Sequence, residues 1–96
     1  MNIEKLLSLS EKDVSGISNP LLRAMWYDLN GNWDRAHTIT QEIEGKTAAR
    51  VHAYLHRKEG DQWNAEYWYR RAGVKPFAGG LDEEAEEILK ELRVDT

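Results

Sequence analysis

The chain has 96 residues, no cysteine and a formal net charge of −4. This length suits a single domain, expected over residues 1–96, and the absence of cysteine excludes disulfides, thiolate nucleophiles and sulfur-bound zinc. The negative charge argues against general nucleic-acid binding, and the N-terminal residues contain neither the apolar core of a signal peptide nor the ~20 apolar residues of a membrane span. We therefore expect a soluble cytoplasmic domain without membrane contact.

Charge is unevenly distributed along the chain. Residues 1–45 carry four basic and seven acidic groups, residues 46–75 carry seven and three, and residues 76–96 carry two and seven. The basic segment is expected to be neutralised within one fold by the acidic C-terminal helix.

Helical signals dominate the sequence, and no window alternates polar and apolar residues with the period of two that a half-buried strand needs. Asn2 and Ser8 are placed to cap two short N-terminal helices, Ser8 through its capping-box spacing. Asn19-Pro20 begins a longer helix that Gly31 ends.

The remaining helices follow at regular intervals. Three are predicted over residues 33–44, 48–59 and 62–72, the third capped by Asp61, and a last amphipathic helix, capped by Asp82, lies in residues 81–93. Pro76 and Gly79-Gly80 separate this last helix from the one before it, because neither residue type continues a helix well.

Two of these helix pairs repeat with a period of 29 residues. The positions Ala24, Gly31 and Ala36 recur as Ala53, Gly60 and Ala65. With Tyr69 and Ala72, the second unit has the residue spacing of tetratricopeptide repeats, and its ending NAEYWYRRAG resembles a Sel1-type repeat. The first unit departs from that pattern, since Thr40 and Ile43 stand where an aromatic residue and an alanine are usual.

This resemblance covers residues 20–73. It implies an all-α fold of two stacked antiparallel helical hairpins, tetratricopeptide-like, with the helix of residues 81–93 as a cap. The segment from His52 to Gly73 is also similar to a group of small uncharacterised bacterial proteins, a similarity that implies no activity.

Three side chains form a polar strip on the helix of residues 48–59. His52, His56 and Glu59 follow one another at i, i+4 and i+7, between two apolar faces, while Arg50 and Arg57 are expected to point to solvent. A polar strip flanked by packed faces is either hydrogen-bonded internally or forms the floor of a groove.

Two histidines one turn apart, with a carboxylate beyond, could ligate zinc or iron if a second helix supplies another ligand. His37, with Gln41 one turn later, is the candidate for that second helix, and Asp28 is a weaker one. The alternative is that the histidines bond to Asp28, Glu59, Gln41 or the main chain and fix how the hairpins stack.

An oriented histidine could also act in acid–base catalysis. However, the sequence contains no recognisable nucleophile motif and no cofactor fingerprint, so we expect neither an enzyme nor a bound cofactor.

The helix of residues 62–72 carries aromatic side chains on two sides. Trp63, Tyr67 and Arg71 lie almost opposite its core face, with Glu66 and Arg70 as an i, i+4 pair beside them. The C-terminal helix or Pro76-Phe77 is expected to cover Trp63 and Tyr67; left uncovered, Trp63, Tyr67, Arg70 and Arg71 have the composition of an interaction hot spot.

The leading functional hypothesis is a non-catalytic module that binds an unidentified protein or peptide through the hairpin groove and this aromatic side, with homodimerisation as one version. The alternative hypothesis is a small-ligand or metal site formed by His37, His52, His56 and Glu59, with a catalytic site as one version.

Overall fold

The structure is a computed structural model that describes residues 2–94, with side chains described through residue 92. Within that range the chain forms helices and no strand, which confirms the all-α class. The helices are α1 (Ile3–Leu7), α2 (Glu11–Ser15), α3 (Pro20–Leu29), α4 (Trp33–Gln41), α5 (Lys46–Glu59), α6 (Gln62–Ala72) and α7 (Leu81–Val94).

Local capping determines where most helices begin. The side chains of Asn2, Asn19 and Asp61 accept hydrogen bonds from main-chain N–H groups of the first turn, as predicted. The predicted cap at Ser8 is wrong. Ser8 ends α1, and Ser10 begins α2 through a reciprocal pair of hydrogen bonds with Asp13, because Asp13 lies at the third helical position where its carboxylate reaches back to the Ser10 N–H.

Three other predicted bounds shift. Helix α4 ends at Gln41 rather than near residue 44, and α5 already begins at Lys46. Helix α7 begins at Leu81, so Asp82 lies in its first turn instead of capping it. An acidic side chain there still interacts favourably with the positive end of the helix dipole.

Helices α3 to α6 pack in chain order, and α7 then folds back mainly onto α3 and α5, with a smaller contact to α1. Helix α3 contacts α4, α4 contacts α5 and α5 contacts α6, whereas α7 lies against α3 and α5. The main apolar core joins α1, α3, α4, α5 and α7 through buried side chains that include Met25, Val51, Leu55, Ile88 and Leu89, whereas α6 packs on α5 through a separate, smaller cluster. The apolar face predicted for α7 is therefore confirmed as a core face.

Helix α7 also brings one carboxylate into the interior. Glu84 is fully buried and accepts hydrogen bonds from Arg57 Nη1 at 2.8 Å and from Tyr69 Oη at 2.5 Å. Arg50 Nε lies 3.7 Å from the same carboxylate. The prediction that Arg50 and Arg57 point to solvent is thus wrong, because α7 covers them and a buried carboxylate requires cationic partners.

In the described part of the chain, no helix has both the length and the apolar character needed to cross a bilayer.

Candidate metal centre

Two helices bring three histidines to one point. His37 comes from α4, and His52 and His56 come from successive turns of α5. One ring nitrogen from each lies within 4.8 Å of the others, and His37 Nε2 is 3.0 Å from His52 Nε2. We refer to His37, His52 and His56 as the histidine cluster. His37, the candidate from a second helix, thus lies beside the two histidines of α5.

The nitrogen separations in the cluster are close to those of a metal site. In a tetrahedral zinc site with Zn–N bonds of about 2.1 Å, ligating nitrogens lie roughly 3.4 Å apart. In the cluster the three nitrogens lie within 4.8 Å of one another, and the 3.0 Å contact between His37 and His52 is a hydrogen bond that a bound metal ion would replace.

Two tryptophans hold the rings of the cluster. Trp33 stacks on His37 with ring centroids 4.8 Å apart, and Trp68 stacks on His52 at 3.9 Å. Trp33 is itself fixed, because its Nε1–H donates to the Leu55 carbonyl at 2.7 Å. Since stacking restrains the side-chain torsions of both histidines, the cluster is preorganised by packing.

Glu59 orients the third histidine. Its Oε2 accepts a hydrogen bond from His56 Nδ1 at 2.7 Å. This bond places the proton of a neutral His56 ring on Nδ1 and the lone pair on Nε2. A carboxylate in this position is the usual partner of a metal-ligating histidine, because it fixes the ring and raises its basicity.

The surroundings favour the neutral form of two histidines of the cluster, His37 and His52. Burial, followed by the neighbouring His37 and His56, lowers the pKa of His52 to about 4. Burial and then His56 also lower the pKa of His37, although Glu59 and Asp34 oppose this shift. Both rings are therefore neutral near pH 7, which is the form that binds a metal ion.

Two of the predicted partners lie elsewhere. Asp28 is buried, but its Oδ2 accepts from Tyr54 Oη at 2.8 Å and from Lys58 Nζ at 3.0 Å, so it neither ligates with nor bonds to the histidines. Gln41 is exposed at the end of α4. Of the hydrogen-bond partners predicted for the histidines, only Glu59 is found in the described residues.

A groove borders the cluster at His52. Its volume is about 540 Å³, and residues from α4, the α4–α5 turn, α5 and α6 line it: Gln41, Ile43, Glu44, Gly45, Lys46, Ala48, Ala49, His52, Trp68 and Arg71. The lining is partly apolar and includes two cations, Lys46 and Arg71. Gln41 was predicted to partner the histidines, and in the structure it lines this groove instead.

The aromatic side of α6 is open. Trp63 is 75% exposed and Tyr67 36% exposed, so the prediction that α7 or Pro76-Phe77 covers them is wrong. Helix α7 is directed instead onto α3 and α5, and Phe77 packs against Ala53, Ala65 and Tyr69. Arg71 lies over the rings of Tyr67 and Trp68, at 5.8 and 5.5 Å from their centroids.

Sequence reasoning missed the roles of Trp33, Trp68 and Glu84. Trp33 precedes His37 by four residues, a spacing that places two side chains on the same helix face and could have indicated the stack. Glu84 lies three residues after Leu81 and four before Ile88, so helical spacing places it on the apolar face despite its charge. Trp68 carries no such signal, because its contact with His52 joins two helices.

Comparison with known proteins finds no match, whether among family models, curated proteins or solved structures, so the site is defined by the geometry of this chain alone.

Proposed function

We propose that this protein binds one divalent transition-metal ion, with Zn²⁺ as the first candidate, through His37, His52 and His56. The observation that carries the proposal is the convergence of three histidine nitrogens from two helices within 4.8 Å. Nitrogen ligands favour Zn²⁺, Cu²⁺, Ni²⁺ or Co²⁺, whereas Ca²⁺ and Mg²⁺ require oxygen ligands. Glu59 supports the proposal because it holds the His56 ring in the tautomer that leaves Nε2 free.

Three protein ligands leave a fourth coordination position. Sites of this kind take a water molecule or another small ligand there, in contrast to closed structural zinc sites with four protein ligands. The proposed role of the protein is therefore to hold an exchangeable metal ion with one accessible position. Trp33 and Trp68 contribute by limiting the motion of two of the ligands.

Metal titration tests this proposal. With Co²⁺ as a spectroscopic substitute for Zn²⁺, the protein should show visible absorption bands that saturate at one ion per chain. His37→Gln and His52→Gln should abolish them, whereas Thr38→Ala, an exposed change on the same helix as His37, should leave them unchanged. His37 is only partly buried, so its variant is expected to fold even if the His52 variant does not. A folded wild-type protein that binds no stoichiometric Co²⁺ or Zn²⁺ contradicts the proposal.

A change at Glu59 separates a metal site from a merely packed histidine cluster. Glu59→Gln removes the charge that holds His56 and should weaken Zn²⁺ binding by about 10-fold, the lower end of the range for such partners. Glu66→Gln, an exposed change on α6, is the matched control and should have no effect. The affinities are measured by competition with a chelating dye. Equal affinities in the two variants would remove Glu59 from the site.

The exposure of Trp63 favours a second candidate function, interaction with another protein molecule. On this proposal the pairs α3–α4 and α5–α6 correspond to two tetratricopeptide-like hairpins, which is consistent with the contacts between successive helices. Helix α7 lies on α3 and α5, so the chain itself fills the face that such hairpins usually offer to a peptide. The surface formed by Trp63, Tyr67, Arg70 and Arg71 is then the side left for a partner.

The partner that we propose for this surface is a second copy of the chain. Trp63, Tyr67 and Arg71 follow one another at i, i+4 and i+8, so they form a single stripe along α6. Two such stripes paired antiparallel about Tyr67 set each Trp63 against Arg71 of the other copy, which is a favourable cation–π pairing. Measurement of the oligomeric state tests this candidate.

A further inference from the structure

We infer that a second cavity, where α2, α3 and α4 meet, binds the phosphate group of a small phosphate monoester. Its volume is about 380 Å³, and side chains from all three helices line it: Val14, Ser15, Arg23, Tyr27, Arg35 and Ile39. We refer to it as the arginine cavity. None of its residues belongs to the histidine cluster or to the stripe on α6, so this site is independent of both functions proposed above.

The arginine cavity concentrates positive charge in an acidic part of the chain. Residues 1–45 carry only four basic groups against seven acidic ones. Two of those four, Arg23 and Arg35, line the cavity, whereas no acidic residue of the described chain does. The Glu11 carboxylate lies next to the cavity, because it accepts a hydrogen bond from Tyr27 Oη at 3.0 Å. It offsets one of the two arginines, and the cavity keeps a net positive charge.

Both guanidinium groups are held in place without a carboxylate partner. Arg23 Nη1 donates to the main-chain carbonyl of Ile17, and the Arg35 guanidinium lies 5.5 Å from the centroid of the Tyr27 ring. Among the described side chains, no carboxylate oxygen lies within 4.0 Å of either arginine. Most of their N–H groups are therefore free to donate to a ligand, and less side-chain entropy is lost when one binds.

Two arginines suit a phosphate group better than a carboxylate. A phosphate monoester carries a charge of about −1.5 to −2 near pH 7 and three acceptor oxygens, whereas a carboxylate carries a single charge and two oxygens. The planar fork of an arginine donates to two phosphate oxygens at once. The hydroxyl groups of Ser15 and Tyr27 already donate to the Lys12 carbonyl and to Glu11, so recognition of the anion depends on the arginines.

The rest of the lining favours an organic body attached to the phosphate. Val14 and Ile39 are apolar, and Tyr27 adds an aromatic ring. The volume of about 380 Å³ lies near the lower end of the range for small-ligand sites, which restricts the ligand to a small molecule. A phosphate monoester with a short apolar or aromatic body contacts both the cations and this surface, whereas inorganic phosphate contacts only the cations.

Titration of the metal-free protein, followed through amide chemical shifts in NMR spectra, tests this site. Phenyl phosphate should produce saturating shifts in α2, α3 and α4 at one molecule per chain. It should bind more tightly than inorganic phosphate and more tightly than benzoate, which has the aromatic body but a carboxylate in place of the phosphate. The metal-free protein is used so that phosphate cannot bind to an ion at the histidine cluster.

Variants matched in charge locate the site. Arg35→Gln should weaken the binding of phenyl phosphate by at least about 10-fold, because it removes a charge-assisted pair. Arg35→Lys should restore only part of this loss, since lysine keeps the charge but lacks the planar fork. Lys12→Gln removes an exposed cation of α2 outside the cavity and should leave the affinity unchanged. Arg35 is exposed, so both of its variants are expected to fold.

The contrary outcomes are distinct. If phenyl phosphate at millimolar concentration gives no saturating shifts in these helices, the site is overturned. Equal affinities of the Arg35→Gln and Lys12→Gln variants would show an effect of overall charge and overturn it as well. Tighter binding of benzoate overturns the assignment to a phosphate, and binding of inorganic phosphate as tight as that of phenyl phosphate overturns the role of the organic body.

Discussion

Each histidine of the cluster is held by a different neighbour. Trp33 covers His37, Trp68 covers His52, and Glu59 bonds to His56. Because the restraints come from three helices, the cluster depends on packing between helices as well as on the spacing within α5. Preorganisation of this kind lowers the cost of ordering the ligands when a metal ion binds.

Two buried tyrosines make the stability of the fold sensitive to high pH. Burial, with Asp28 next in importance, raises the pKa of Tyr54, and burial, with Glu84 next, raises the pKa of Tyr69. Both phenols stay protonated in the folded chain, whereas in the unfolded chain they lose their protons above about pH 10. The unfolded state then binds fewer protons than the folded state, so stability should fall as the pH rises above that value.

Absorbance of tyrosinate measured during an alkaline titration checks this prediction. The tyrosinate absorbance of Tyr54 and Tyr69 should appear only at the pH where circular dichroism shows cooperative unfolding. Tyr54→Phe and Tyr69→Phe should each remove part of the absorbance change that accompanies unfolding. A tyrosinate signal from either residue while the helices remain intact would contradict the burial described above.

At the scale of the helix, α7 combines an apolar face with one buried charge. Ile88, Leu89 and Leu92 are buried in the core, and each contributes about 1.5–3 kcal/mol relative to an exposed side chain. Glu84 adds little net stability, because its desolvation opposes its attraction to Arg57 and Arg50. Its main effect is on position, since these contacts tie α7 to both arginines of α5 and to Tyr69 of α6.

Replacement of Glu84 tests this role. Glu84→Gln leaves Arg57 without a counterion beneath α7 and leaves Arg50 with only the more exposed Glu91, at 3.8 Å. We expect a loss of about 2–4 kcal/mol in the free energy of unfolding, because Arg57 retains some solvent, which reduces the cost below that of a fully buried pair. Glu87→Gln, an exposed change on the same helix, should alter stability by less than about 0.5 kcal/mol. The free energy of unfolding is measured by urea denaturation, and its dependence on urea concentration should be the same in the variants and the wild type. Equal stability of the two variants would show that Glu84 does not anchor α7.

At the scale of the whole molecule, local features were predictable and the placement of α7 was not. Asn19-Pro20 and Asp61 act within a few residues of themselves, so the sequence is sufficient to locate the helix starts that they produce. The polar strip on α5 follows from helical spacing, and His37 was the candidate partner on α4. Helical spacing places Glu84 on the apolar face of α7, but that spacing does not identify Arg57 and Tyr69, the distant partners that bind the buried carboxylate.

The same limit applies to the surface of α6. Whether Trp63 and Tyr67 are covered depends on where α7 lies, which no short-range pattern encodes. Because α7 contacts α3 and α5, the expectation of coverage fails and the aromatic stripe is exposed. This exposure is unfavourable in free energy, because a tryptophan ring left in water does not contribute the hydrophobic stabilisation that its burial would provide. A second copy of the chain is the proposed source of that burial.

Self-association should therefore depend on Trp63. The wild type is expected to dimerise as its concentration rises, because pairing two α6 stripes removes both indole rings from water and sets each against a cation. Trp63→Ala should weaken the dimer by at least 10-fold, while Val74→Ala, a change at another exposed apolar side chain, should leave it unchanged. Light scattering and sedimentation equilibrium give the molecular mass of each variant. A wild type that stays monomeric at millimolar concentration contradicts the proposed dimer, and equal dimerisation of the Trp63 variant places the interface elsewhere.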